Sequence, residues 1–186
     1  MSRILYGQPI LQMIAEIVLL PLVLMLVVER MISRENAKRF LWWLLLIVGI
    51  YGILNQTLFN RTPEIRSALV NPPFKLLWTA VLHNREIVRS LLLNILLFEP
   101  FGAAAVHLLP VKHSIRMRVL LTCLCGLLFS VGLEMCQFAF SLGNAEVDDV
   151  ICNTLGSFFG ALSLPIKTLL FEAGTENNNE AEKDGY

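Results

Sequence analysis

Polar side chains recur at helical spacing inside two otherwise apolar segments, and these are the residues best suited to chemistry. The first set recurs at steps of four, three and four: Ser130, Glu134, Gln137 and Ser141. The second set follows across a short turn with the same steps: Asp149, Asn153, Gly156 and Gly160. Such spacing places each set on one face of a helix. The two polar stripes are joined by a hairpin and can therefore face each other.

A charge in a membrane-spanning helix needs a partner, because moving it into hydrocarbon costs about 2.5–3.5 kcal/mol. We therefore expect Glu134 and Asp149 to approach each other, bridged by Gln137, Asn153, water or a cation. Carboxylate and amide oxygens suit a divalent cation of the magnesium or calcium type, so Glu134 and Asp149 are candidate metal ligands. The same oxygens can instead pair with an arginine and bind a lipid or peptide head group. No other cofactor is expected.

Further polar residues join these carboxylates as candidates for ligand binding. The full candidate set is Arg61, Asn94, Glu134, Gln137, Asp148, Asp149 and Asn153. Structural roles compete with ligand binding for several of them. Asp148 and Asp149 can stabilise a helix N-terminus, and Asn94 can hydrogen-bond between helices. Gly156 and Gly160 favour close packing of two helices.

The segments that must position these residues are membrane spans. Charged residues make up 16% of the 186 residues, against about 25% in soluble domains. Requiring about 20 mostly apolar residues per span predicts five helices: 10–28, 40–59, 87–109, 118–141 and 147–171. The expected fold is an all-α polytopic transmembrane bundle of about five spans, formed by residues 1–171. A polar tail, 172–186, is expected to be disordered.

Charge also limits the partners and predicts the orientation. Fifteen Lys and Arg balance fifteen Asp and Glu, so nothing indicates nucleic-acid binding, which needs a basic face. Of the basic residues, nine fall on the side of the second span's start and the C-terminus, and six fall on the opposite side. The positive-inside rule then puts the N-terminus outside and the C-terminus in the cytoplasm. In this orientation the candidate residues form one polar pocket that opens outward.

Aromatic and histidine residues are expected to have ordinary roles. Trp42 and Trp43 lie near the start of the second span, where aromatic residues commonly anchor a helix in the membrane interface. His83, His107 and His113 lie at span ends or in loops. We expect these histidines to be surface residues.

Four sequence blocks resemble the VanZ-like family of small bacterial integral membrane proteins. In chain order they are Thr57-Leu58-Phe59-Asn60-Arg61-Thr62-Pro63, Asn94-Ile95-Leu96-Leu97-Phe98-Glu99-Pro100-Phe101-Gly102, Glu134-Met135-Cys136-Gln137 and Val147-Asp148-Asp149-Val150-Ile151-Cys152-Asn153-Thr154-Leu155-Gly156. The resemblance covers about residues 55–162. Two departures stand out: the usual Arg before the paired acids is replaced by Gly143-Asn144-Ala145, and Glu99 stands where the family generally has an apolar residue.

The resemblance implies a function in the bacterial cell envelope but no settled activity. The family is named after an accessory factor for glycopeptide (teicoplanin) resistance, so one hypothesis is a cell-membrane protein that binds a lipid or cell-wall precursor head group. A second is an intramembrane enzyme that uses Glu134 and Asp149 as acid, base or metal ligands, although no Ser/His/Asp order or H-E-x-x-H motif accompanies them. A third is a small lipid transporter with a third helix broken at Glu99-Pro100.

Overall fold

The computed structural model describes residues 19, 23–30, 34–61, 85–142 and 146–170. Within these residues the chain is helical and contains no strand. Helix α1 comprises residues 23–30. The longer helices are α2 (Glu35–Leu54, followed by a π-helical turn, Asn55–Phe59), α3 (Arg85–Leu108), α4 (Ile115–Ala139) and α5 (Val147–Ala161). After a turn at Leu162, residues 163–170 continue α5 as a helix.

Four helices are long and apolar enough to cross a membrane: Glu35–Phe59, Ile87–Leu108, Ile115–Ala139 and Val147–Leu170. These bounds agree with the predicted second to fifth spans to within about five residues at either end. The all-α transmembrane bundle expected from the sequence is therefore confirmed. Most of the first predicted span, the connection 62–84 and the predicted disordered tail 172–186 lie outside the described residues.

Helix α3 lies at the centre of the bundle and packs most closely against α5. A Cβ atom added at Gly156 would collide with the carbonyl oxygen of Ile95, and one at Gly160 would collide with that of Glu99. Gly102 of α3 is equally close to the backbone of Ser157. The two predicted packing glycines thus form a seam in which the backbones of α3 and α5 touch. Pro100 lies inside α3 without ending it.

The other faces of α3 pack against α2 and α4 through large apolar side chains. Phe98 and Phe101 of α3 lie against Phe129 of α4, with ring centroids 5.9 and 5.6 Å from it. Ile53 of α2 and Leu133 of α4 complete this buried cluster. Together, the glycine seam and the aromatic cluster fix α3 relative to its three neighbours.

At the end of the bundle where α2 begins, a group of charged residues joins three helices. Glu29 of α1 accepts hydrogen bonds from Lys38 of α2 and Lys167 of the α5 extension, both at 2.7 Å. Only 7% of the Glu29 side chain is exposed. Arg118 of α4 donates to the carbonyl oxygen of Val106 near the end of α3, where carbonyls lack helical partners.

Two expectations about this end of the bundle are wrong. Trp42 is buried at 3% exposure, and its ring stacks on that of His107 at a centroid distance of 4.2 Å. His107 also lies within hydrogen-bond distance of Ser163, with Nε2 and Oγ 3.2 Å apart. Adjacent residues lie about 100° apart around a helix, so Trp42 faces the interior of the bundle while Trp43 does not. Trp43 points outward, as an interfacial anchor should, whereas Trp42 and His107 belong to the interior.

Candidate polar site at one end of the bundle

The predicted candidate residues lie at the end of the bundle opposite to the Glu29 group. Four elements meet here: the π-helical turn after α2, the first half of α3, the last turns of α4 and the first turns of α5. Side-chain hydrogen bonds join these elements to one another at this end. The structure thus brings together residues that are up to 92 positions apart in sequence, from Arg61 to Asn153.

Asn94 and Asp149 form the direct link between α3 and α5. The Asn94 amide nitrogen Nδ2 donates to Oδ1 of Asp149 at 2.7 Å. Asp149 lies in the first turn of α5, where exposed backbone N–H groups favour a carboxylate. The structural roles expected for the two residues, an interhelical strut for Asn94 and a helix-end carboxylate for Asp149, therefore occur together in one contact.

Glu134 has a partner that its position in the sequence does not indicate. Its side chain is 7% exposed and accepts a hydrogen bond from the backbone N–H of Glu146 at 3.0 Å. Glu146 is the residue at the N-terminal boundary of α5, where backbone N–H groups lack helical acceptors. The last turns of α4 thus supply the acceptor that the start of α5 needs.

Gln137 and Asn153 do not bridge the two carboxylates. Gln137 Nε2 donates to the carbonyl oxygen of Thr57, in the π-helical turn, at 3.1 Å. Asn153 Nδ2 donates to Oγ of Ser130, one turn below Glu134 on α4, at 2.8 Å. This part of the expectation is wrong, because each amide finds an acceptor on the nearest helix.

Arg61 is one of the positively charged residues at this end. It is exposed, directly after the π-helical turn, and its charge interacts with those of Glu134 and Asp149. The two carboxylates also interact electrostatically with each other. Asp148 lies beside them and is buried at 5% exposure. Glu134 and Asp149 are therefore both close enough to Arg61 to interact with its charge.

Two amide oxygens at this end have no hydrogen-bond partner among the described residues. Gln137 Oε1 and Asn153 Oδ1 are buried, and neither has a hydrogen-bond partner in the described part of the chain. Burying an unpaired acceptor is unfavourable. Within the same part of the chain, no group of three or more His, Cys, Asp and Glu is arranged to hold a metal. A divalent cation at Glu134 and Asp149 stays a prediction.

Comparison with known proteins gives one match. A family model described as VanZ/LLP1 matches residues 40–169. The match includes all four blocks that carry the resemblance and extends from α2 to the end of the α5 extension. It confirms the family suggested by the sequence. No curated protein and no solved structure matches the chain.

Proposed function

Because the chain belongs to the VanZ/LLP1 family, we propose that it is a bacterial cell-envelope protein that contributes to glycopeptide resistance of the teicoplanin type. In this proposal the polar end of the bundle faces outward and binds a lipid or peptide head group. The carboxylates of Glu134 and Asp149 would accept hydrogen bonds from its N–H or O–H groups. Arg61 would pair with its anionic group.

The unpaired acceptors of Gln137 and Asn153 are the observation that carries this proposal. Buried polar atoms in proteins are almost always hydrogen-bonded, so two orphaned oxygens beside two carboxylates indicate a place for a donor-rich ligand. The positive charge of Arg61 near the same carboxylates adds a partner of opposite sign. A head group that carries both donors and a phosphate or carboxylate matches this combination.

The same contacts favour binding over catalysis. Glu134 holds the backbone of Glu146, and Asp149 holds Asn94. A general acid or base must be within hydrogen-bond distance of the group to which it transfers a proton. Each carboxylate bonds one structural partner and retains further lone pairs that can accept from a ligand, so we place ligand binding before the intramembrane enzyme and lipid transporter alternatives.

The substitution Glu134→Gln tests the proposal. A glutamine retains an oxygen that accepts the Glu146 N–H but loses the charge, so the turn should stay intact while ligand binding weakens. In a host without its own copy, we expect glycopeptide resistance to be lost and the amount of protein in the membrane to stay nearly unchanged. Charge-assisted hydrogen bonds are roughly twice as strong as neutral ones, which makes the charge the decisive property.

Cys136→Ala is the matched control. Cys136 is partly buried, two residues from Glu134 on the same helix, and its replacement should leave only a small void. Resistance and protein amount should both be retained. Full resistance in Glu134→Gln would reduce the polar end to a scaffold, and a parallel loss of protein would make Glu134 a folding residue.

A further inference from the structure

Glu99 is a buried acid that the polar site does not use. It lies in the middle of α3, directly before Pro100, with its side chain 0% exposed. Neither Oε1 nor Oε2 has a hydrogen-bond partner in the described residues. An acid thus occupies a site whose surroundings suit an uncharged side chain.

The surroundings of Glu99 offer no neutralising charge. Its own carbonyl oxygen lies against Gly160 so closely that a Cβ atom on that glycine would collide with it. The charged residues of α3 and of the helices packed around it are placed toward the two ends of the bundle, among them Arg85, Glu86, Arg89, Glu134, Asp148 and Asp149 at one end, and Glu29, Lys38, Arg118 and Lys167, with His107, at the other. Across the ranges that the structure describes, none of these charges acts on Glu99.

We propose that Glu99 is a proton-binding site that holds its proton while α3 is packed against α5. An isolated carboxylate in a low-dielectric interior is strongly disfavoured, whereas a neutral carboxylic acid is tolerated. Release of the proton leaves a charge that must reach water or a cation. Because the Glu99 side chain is fully buried in the bundle, that exposure requires the helices packed around it to separate, among them α5, which touches the backbone of Glu99 at Gly160.

A proton fits this position better than any other cation. A divalent metal needs several oxygen ligands, and in the described residues Glu99 belongs to no group of three or more His, Cys, Asp and Glu side chains that could hold a metal. An ammonium group must likewise be surrounded by acceptors. A water molecule would hydrogen-bond to the carboxyl group without cancelling its charge. A proton needs neither space nor further ligands.

The proposal rests on burial and packing, so it stands independently of head-group binding. It predicts that the α3–α5 seam responds to pH through Glu99, at a distance of about one and a half helical turns along α3 from Asn94. The polar end and the proton site therefore lie on one helix. Separate variants, at Glu134 and at Glu99, distinguish the two functions.

Infrared spectroscopy of the full chain in lipid bilayers tests the protonation state. At neutral pH, the wild-type protein should show the C=O stretching band of a buried neutral carboxylic acid. Glu99→Gln and Glu99→Met should lack this band. Glu134→Gln, the matched control, should retain it. An identical carboxylic band in wild type and in both Glu99 variants would overturn the proposal.

Thermal unfolding of the same samples tests the coupling to packing. As the pH is raised into the alkaline range, the unfolding temperature of wild type should fall, because the proton is lost and the closed seam is destabilised. The two neutral Glu99 variants should lose most of this fall, and Glu134→Gln should retain it. Glutamine keeps the shape of the acid and methionine removes its polarity, so the test does not depend on one replacement. Equal alkaline slopes in all four proteins would overturn the coupling.

Discussion

Asn94 and Asp149 are 55 positions apart in the chain, and their side chains meet at 2.7 Å between α3 and α5. This contact lies at the polar end of the same helix pair whose middle is packed through Gly156 and Gly160. An interhelical hydrogen bond therefore joins one end of a seam that small residues bring into close contact. The candidate binding site is built on this rigid pair.

A double-mutant cycle measures the coupling of Asn94 and Asp149. Interhelical hydrogen bonds in membrane proteins contribute about 0.6 kcal/mol on average, with a maximum of about 1.7 kcal/mol. We expect Asn94→Ala and Asp149→Ala, which each remove one partner of the hydrogen bond, to couple by about 1 kcal/mol in the free energy of unfolding in detergent. The control pair is Asn94→Ala with Thr154→Ala, because Thr154 bonds only to Val150 of its own helix in the described contacts. Equal coupling free energies in the two cycles would show that the hydrogen bond between Asn94 and Asp149 does not stabilise the packing of α3 on α5.

The glycines of α4 and α5 predict a sharp contrast between similar substitutions. Gly160→Ala places a methyl group against the carbonyl oxygen of Glu99, and such overpacking costs typically about 1–3 kcal/mol. A Cβ atom added at Gly132 would have no neighbouring atom within 4 Å. Gly132→Ala should be neutral or stabilising by up to about 1 kcal/mol, because alanine favours helices over glycine. Unfolding temperatures of the two variants in detergent check this order, which an equal loss in both would refute.

The sequence predicted the helices well because their signals are local. Span limits follow from hydropathy over about 20 residues, and the stripe of Ser130, Glu134 and Gln137 follows from helical periodicity alone. The spacing of Gly156 and Gly160 predicted a close helix contact, but the sequence could not identify the helix that makes it. The structure shows that this helix is α3.

Contacts made by backbone groups, or between segments far apart in the chain, could not be predicted from the sequence. Glu134 binds the N–H of Glu146, an interaction that depends on how the α4–α5 turn folds back. Trp42 and His107 are 65 positions apart, and their stacking requires the packing of α2 on α3. Burial of Glu99 could be inferred from its apolar neighbours, whereas the absence of a partner in the described residues required the positions of all the surrounding helices.

The contacts of Glu29, at the end of the bundle opposite to the polar site, predict that the protein loses stability in acid. Burial raises the pKa of Glu29, but the hydrogen bonds and charges of Lys167 and Lys38 outweigh it and hold this pKa below the ordinary 4.5. A carboxyl group with a lowered pKa stabilises the fold above its ordinary pKa, and this stability is lost as the pH falls through the lowered value. Glu29→Gln should cost roughly 1.5–3 kcal/mol at neutral pH and weaken the loss of stability below about pH 4.5.

Glu35→Gln is the control for Glu29, because Glu35 bonds to the same Lys38 at 3.1 Å. Its side chain is 84% exposed, and exposed ion pairs contribute about 0–1 kcal/mol. Chemical denaturation of both variants at neutral and acidic pH gives the comparison. A loss in Glu35→Gln as large as that in Glu29→Gln would show that burial does not strengthen the Glu29 contacts.

Reporter fusions test which end of the bundle faces outward. The contacts of Glu29 with Lys38 and Lys167 place the start of α2 and the end of the α5 extension at the same end of the bundle. The nine basic residues on this side predict that it is cytoplasmic. Alkaline phosphatase fused after Leu170 should therefore be nearly inactive, since the enzyme needs an oxidising compartment for its disulfides. The same enzyme inserted in the connection between α2 and α3 should be active. The reverse pattern would move Glu134, Asp149 and Arg61 to the cytoplasmic side, and head groups of the outer leaflet could then not be their ligands.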